Sequence, residues 1–230
     1  FYNKIIKEGL CIKEQKVLDL GTGTGVLPRN LYSYGADFVG TDLSEGQINE
    51  AIRLSKESNM NIKYQCVATE DIDYADNTFD VITACQSFFY FNHDVVAHKL
   101  YNMLKPNGRL VILYMAWLPF EDKVAGLSED LVLKYNPQWS GGRETRRPNI
   151  IPDNYRSFFT IEKEEICDLS VPFTRDTWNG RMIACRGIGA SLSNNQVQKF
   201  SKEHMELLNT IAPYEFEVLH YMAMTILRRR

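Results

Sequence analysis

Short apolar runs that stop at glycines or acids alternate, through the first half of the chain, with stretches whose apolar residues recur at helical spacing. Lys16-Val17-Leu18-Asp19-Leu20 ends at a glycine cluster and 36–42 ends at Asp42, so both predict buried strands. Between them Val26, Leu27, Leu31 and Tyr34 form a helical stripe, with Pro28 in the first turn, where proline is tolerated. The unit is strand, glycine turn, helix, strand. It continues with a helix over 45–58, a strand near 62–67 and a strand over 79–84 after the Asp76-Asn77 turn. A helix over 94–104 follows, then a stop and turn at Lys105-Pro106-Asn107-Gly108, then a fifth strand over 109–115. Strands alternating with helices imply a parallel sheet.

Beyond Met115 the pattern changes. Residues 120–135 predict a helix, while 136–153 contain Pro137, Gly141, Gly142, Pro148 and Pro152 and predict a long loop of the kind that serves as a lid or binding loop. A sixth strand is expected over 162–173 and a last one over 215–227. Ser193 with Gln196 resembles a capping box that opens a helix running to about Ile211. The division that follows is a core over 1–115, an inserted helix and loop over 116–156 acting as a cap, and 157–230 completing the same domain.

Composition narrows the class. Apolar residues make up 44% of 230 residues and charged residues 24%, which suits one folded domain rather than a disordered chain. A formal net charge of −3 supplies no attraction to phosphate backbones or anionic lipid, so nucleic acid and membrane are not expected partners. The five cysteines are odd in number and never in a CxxC pair, which suggests neither disulfides nor zinc and fits a cytoplasmic protein. No apolar run approaches the roughly 18 to 20 residues that span a bilayer. The four histidines lack metal-ligand spacing, so no metal is expected. Because Phe1 rather than Met stands first, a preceding segment with room for a lid helix is expected.

The turn Asp19-Leu20-Gly21-Thr22-Gly23-Thr24-Gly25 carries the chemistry. Three glycines at every second position let backbone pass close to a ligand, and the helix behind them presents free N–H groups. Asp42, at the end of the second strand, stands where a doubly wound sheet places a carboxylate for both ribose hydroxyls; capping of the next helix is the alternative. The dinucleotide pattern G-x-G-x-x-G fails, since its third glycine falls on Val26 or on Pro28.

With an acid followed by G-x-G-x-G, the chain resembles the class I S-adenosylmethionine-dependent methyltransferases over 17–113. The resemblance implies an α/β doubly wound, mostly parallel seven-stranded sheet with helices on both faces and the last strand antiparallel. It also implies S-adenosylmethionine as cofactor, S-adenosylhomocysteine as product, and a cradle for the methionine portion at Asp19, Gly21, Thr22, Gly23 and Gly25. Asp42 then holds the ribose, Leu43 packs on adenine, and Gln47 joins the cofactor set. Val67-Ala68-Thr69-Glu70-Asp71-Ile72 is similar to the third motif of the family, but Ala68 replaces its usual acid, which shifts the adenine contact to Thr69, Glu70, Asp71 or main chain. Phe79 to Ser87 is similar to the fourth motif and brings Cys85 and Gln86 beside the transferred methyl. Leu104-Lys105-Pro106-Asn107-Gly108 looks like the Leu-Lys-Pro-Gly-Gly turn, with Asn107 at a glycine position.

The acceptor side is open. Phe88, Phe89, Tyr90 and Phe91 can wall a substrate or serve as core. No residue is assigned as catalytic; His93 and Tyr90 are candidates, with helix capping the competing role of His93. Trp117, Trp139 and Arg143 are candidates for recognising an aromatic or anionic acceptor, against a solvated loop. Residues 84–88 read Ala-Cys-Gln-Ser-Phe, without the Asn/Asp-Pro-Pro-aromatic or Pro-Cys motifs of base methylation, so a small-molecule O- or N-acceptor is expected, with the protein a monomer or homodimer. An NAD-linked oxidoreductase and a non-catalytic nucleoside-binding sensor are the alternatives.

Overall fold

The computed structural model describes residues 2–230. Its helices are α1 (Tyr2–Lys7), α2 (Val26–Leu31), α3 (Glu45–Glu57), α4 (His93–Met103), α5 (Lys123–Tyr135), α6 (Arg175–Ile183) and α7 (Asn194–Ile211). The strands are β1 (Lys16–Leu20), β2 (Asp37–Asp42), β3 (Lys63–Cys66), β4 (Phe79–Cys85), β5 (Leu104–Trp117), β6 (Phe159–Thr174) and β7 (Glu215–Arg229). They make one sheet in the order β3-β2-β1-β4-β5-β7-β6, parallel from β3 to β5 with β7 antiparallel. The order reverses at β1, whose neighbours are β2 and β4. A doubly wound sheet opens its ligand crevice at the carboxyl edge of such a reversal.

The chain divides into two compact units. The first joins Phe1–Tyr114, Pro148–Glu165 and Ala223–Arg230. Its core sets Leu18, Leu20, Val39, Ile82 and Ala84 of the strands against Val96, Leu100 and Met103 of α4. Buried aliphatic and aromatic side chains of this size each contribute about 1.5 to 3 kcal/mol. The helix α1 is tied to β6 by the ion pair of Lys4 with Glu165, and Glu8, just past its end, pairs with Lys163.

The second unit joins Met115–Arg147 to Ile166–Met222. Trp117, Val132, Trp178, Met182, Phe200, Leu208 and Val218 pack its core. A polar network runs through it. The fully buried His204 pairs its Nδ1 with Asn179 Oδ1 and its Nε2 with Ser128 Oγ, both at 2.9 Å, and Trp178 Nε1 donates to the same hydroxyl at 2.9 Å. Burial pushes the His204 pKa down to about 4.

Two local outcomes differ from expectation. The Lys105–Gly108 segment does not end one element before another starts. Leu104 pairs with Phe79 and Arg109 with Val81, so four residues bulge out of β5 against a single residue of β4, with Asn107 left-handed at φ 63°. The first helix is also shorter than its stripe: α2 stops at Leu31 and Tyr32–Tyr34 tighten into a 3-10 turn that Gly35 closes at φ 88°. The segment between Tyr135 and Asp153 holds no helix or strand, as its prolines and glycines predict.

Candidate active site

The turn after β1 is shaped by what lies behind it as much as by what it faces. Gly21, Gly23 and Gly25 all have positive φ, at 62°, 56° and 74°. A Cβ on Gly21 would overlap the Ser87 side chain, and one on Gly25 would overlap the hydroxyl of Tyr64. Only Gly23 faces open space, its Cβ position meeting nothing nearer than Gln47 Oε1 at 3.8 Å. Gly23 is therefore the point where a ligand can approach the backbone.

Asp19 braces the turn from inside. It is 2% exposed, and its carboxylate accepts from Thr22 Oγ1 and from Thr83 Oγ1, each at 2.6 Å. Desolvation outweighs those bonds and lifts its pKa to about 6. Thr22, 7% exposed, likewise points inward.

Asp42 links the turn to β2. Its Oδ2 accepts from the Gly23 amide and its Oδ1 from the Ser44 amide, both at 2.9 Å. Both oxygens are fixed in place and keep lone pairs for further donors. Beside it Leu43 is 78% exposed, an apolar side chain with no core to enter. Ser44 caps α3, and Gln47 in its first turn leans towards Gly23. The amide of Val67 donates to Asp42 O at 2.9 Å, which sets the third motif next to this edge. There Thr69 is buried and Asp71 exposed, while Glu70 accepts from the Asn92 amide at 2.7 Å.

At the end of β4, Cys85 is half-buried and burial pushes its thiol up to about 12, so it stays protonated. Gln86 adopts φ 64°, unusual for a residue with a side chain, and its amide donates to Leu113 O at 2.9 Å. Strain of this kind gathers at ligand sites. Of the aromatic run, Phe88 is core at 4% exposure, packed on His93 at 4.6 Å and Tyr155 at 5.3 Å between ring centroids. Phe89 and Tyr90 are about half exposed, their rings tilted at 51° with centroids 4.3 Å apart, and Tyr114 is edge-on to Phe89 at 5.8 Å. His93 opens α4 with its Nδ1 3.1 Å from the Tyr155 hydroxyl, and burial lowers its pKa.

The remaining acceptor candidates belong to the second unit. Trp117 is 7% exposed and donates its Nε1 to Glu129 at 2.5 Å. Trp139 is half-buried against Gly187 and Val132. Arg143 is exposed, its amide held by Glu129 at 2.7 Å and its guanidinium 6.0 Å from the Phe120 ring. Tyr64, Thr83 and Ser87, which shape the turn, carry no signal of that role in the sequence; only the fold brings them to it. Neither does Tyr2 of α1. Burial raises its pKa.

Residues 18–112 match the family model described as a methyltransferase domain. Over that stretch the chain is similar to methyltransferase domains. Among curated proteins, the ubiquinone biosynthesis O-methyltransferase of Bradyrhizobium diazoefficiens is 31% identical over 131 residues, covering 56% of this chain and 51% of that protein. The chain thus spans about half the length of the curated relatives it matches. Among solved structures, the YcgJ protein of Bacillus subtilis has a TM-score of 0.56 at 17% identity over 98% of this chain and 97% of its own. The [4+2]-cyclase SpnF has a TM-score of 0.57 at 18% identity over 99% of this chain and 78% of its own. The methyltransferase fold therefore also houses another chemistry. Among the described residues no helix is long and apolar enough to cross a membrane.

Proposed function

We propose that this protein moves a methyl group from S-adenosylmethionine to an oxygen or nitrogen of a small molecule. The observation that carries the reading is the bond from the Gly23 amide to Asp42 Oδ2, which joins the one open glycine of the turn to an oriented carboxylate. The donor set fits the cofactor. Gly23 leaves room for its amino-acid end, Asp42 offers lone pairs to ribose hydroxyls, and the exposed Leu43 offers an apolar face to adenine.

When bound, S-adenosylmethionine supplies an electrophilic methyl on a sulfonium centre. The chain contributes position and dryness. Phe89 and Tyr90 form an aromatic wall at the end of β4 that suits a cation or a flat acceptor. Burial favours the neutral form of His93; in the tautomer whose Nδ1–H donates to the Tyr155 hydroxyl, Nε2 carries the lone pair that takes the proton of a hydroxyl or amine.

Calorimetry with S-adenosylmethionine, S-adenosylhomocysteine and NAD tests the reading. Binding of both sulfur ligands and not NAD is expected, followed by methyl transfer to members of a phenol and amine panel. Binding of NAD alone would sink it, and tight sulfur-ligand binding with no transfer to any acceptor would favour a sensor or a rearrangement catalyst.

A further inference from the structure

We infer that the second unit contains an anion-recognition site, built on Arg181 over Trp117, that takes the carboxylate group of an aryl acid. Arg181, in the last turn of α6, stands 4.8 Å from the Trp117 ring centroid. The indole beneath it is fixed, because the buried Glu129 accepts from its Nε1 and is itself held by the Arg143 amide. Among the described residues Arg181 makes no hydrogen bond and no ion pair. Two other arginines of the second unit are engaged: Arg146 with Glu121 and Asp168, Arg147 with Glu144.

Arg181 is exposed, with the Trp117 ring covering one side of its guanidinium, and desolvation lowers its pKa. A guanidinium in that setting has its donors idle and its hydration thinned. A helix C-terminus favours a basic residue, which accounts for the charge but not for the ring beneath it or the missing acid. The fork of an arginine matches the two oxygens of a carboxylate, and the weakened hydration strengthens the pair. A flat carboxylate received in the guanidinium plane continues the stack over the indole, which favours an aryl acid over a free inorganic anion.

The binding site does not rest on the methyl-transfer reading. Benzoate, benzamide and inorganic phosphate are titrated by calorimetry into the full chain, as wild type, Arg181→Met and Arg181→Lys. We expect benzoate to bind at least about ten-fold tighter than its neutral isostere benzamide, the preference to vanish in Arg181→Met, and Arg181→Lys to restore only part of it. Equal heats for the two probes in the wild type, or a preference that survives Arg181→Met, overturns the site. Displacement of benzoate by phosphate at equal concentration overturns the carboxylate assignment. Unchanged S-adenosylhomocysteine affinity checks that each variant is folded, and should the wild type fail to bind that ligand, the methyl-transfer reading falls while the probe result stands.

Discussion

The hydroxyl of Ser87 donates to the carbonyl of Leu20 at 2.6 Å, and this bond clamps the turn after β4 onto the end of β1. Ser87 is also what a Cβ on Gly21 would strike. The glycine turn and the fourth motif are therefore one packed object.

It follows that the glycines of the turn fail in different ways. Gly21→Ala combines a left-handed φ of 62° with overlap of Ser87, and should lower stability by about 2 to 4 kcal/mol in urea unfolding. Gly23→Ala meets open space, so its cost is backbone strain of about 1 to 2 kcal/mol, with a loss of S-adenosylhomocysteine affinity larger than that of stability. Equal affinity in wild type and Gly23→Ala would remove that glycine from the ligand path.

Asp42→Ala deletes a carboxylate that two main-chain amides orient. Its ligand affinity is expected to fall by about 1 to 3 kcal/mol, roughly 5- to 150-fold by calorimetry. An unaltered dissociation constant would leave Asp42 with a purely structural part.

Asp19 and His204 oppose each other in acid. Asp19 in the native state keeps its proton up to about pH 6, whereas its usual pKa is 3.8, so between those values the native state binds the extra proton and stability declines as pH rises. Across that window the decline amounts to about 3 kcal/mol. Asp19→Asn should abolish that slope relative to wild type, as followed by urea unfolding from pH 4 to 7.

His204 has the reverse sign. The unfolded imidazole protonates below its usual 6.5 and the buried one only near 4, so stability declines as pH falls across that window, by about 3 kcal/mol. His204→Gln should flatten this acid limb while lowering stability at pH 7 by about 1 to 3 kcal/mol through the broken bonds to Ser128 and Asn179. A limb that persists in the variant assigns the acid sensitivity elsewhere.

For His93, whose pKa is lowered, the basic form persists to a pH below the usual imidazole range. The acid limb of kcat/KM is expected below about 6.5, and His93→Gln should lower kcat with little change in KM. A variant with wild-type kcat and the same acid limb would leave His93 to its packing on Phe88 and Tyr155.

Much of the first unit was legible in sequence because β1, β2 and β4 are largely buried and read as apolar runs, and because the glycine turn depends on local conformation. The capping of α7 was legible for the same reason: Gln196 Oε1 accepts from the Ser193 amide at 3.1 Å, three residues away. What was hidden is what depends on distant residues. The bulge in β5 follows from how β4 runs beside it, the inward turn of Phe88 from the position of Tyr155, and the brace on Asp19 from Thr83 on a neighbouring strand. Periodicity reports which face is apolar, not which partner meets it. Nothing in the sequence joins Arg181 to Trp117, far away in the chain; only the fold sets one over the other.

One ring restricts how this protein can drift through evolution. Tyr64 fills the space in which side chains at Gly25 and Gly40 would lie, and its hydroxyl is 2.9 Å from Ser55 Oγ. Homologues that replace either glycine should carry a smaller residue at position 64, so that the three sites change together. A lineage that lost the tyrosine first would be free to vary its glycine signature, and searches keyed to that signature would then pass it by.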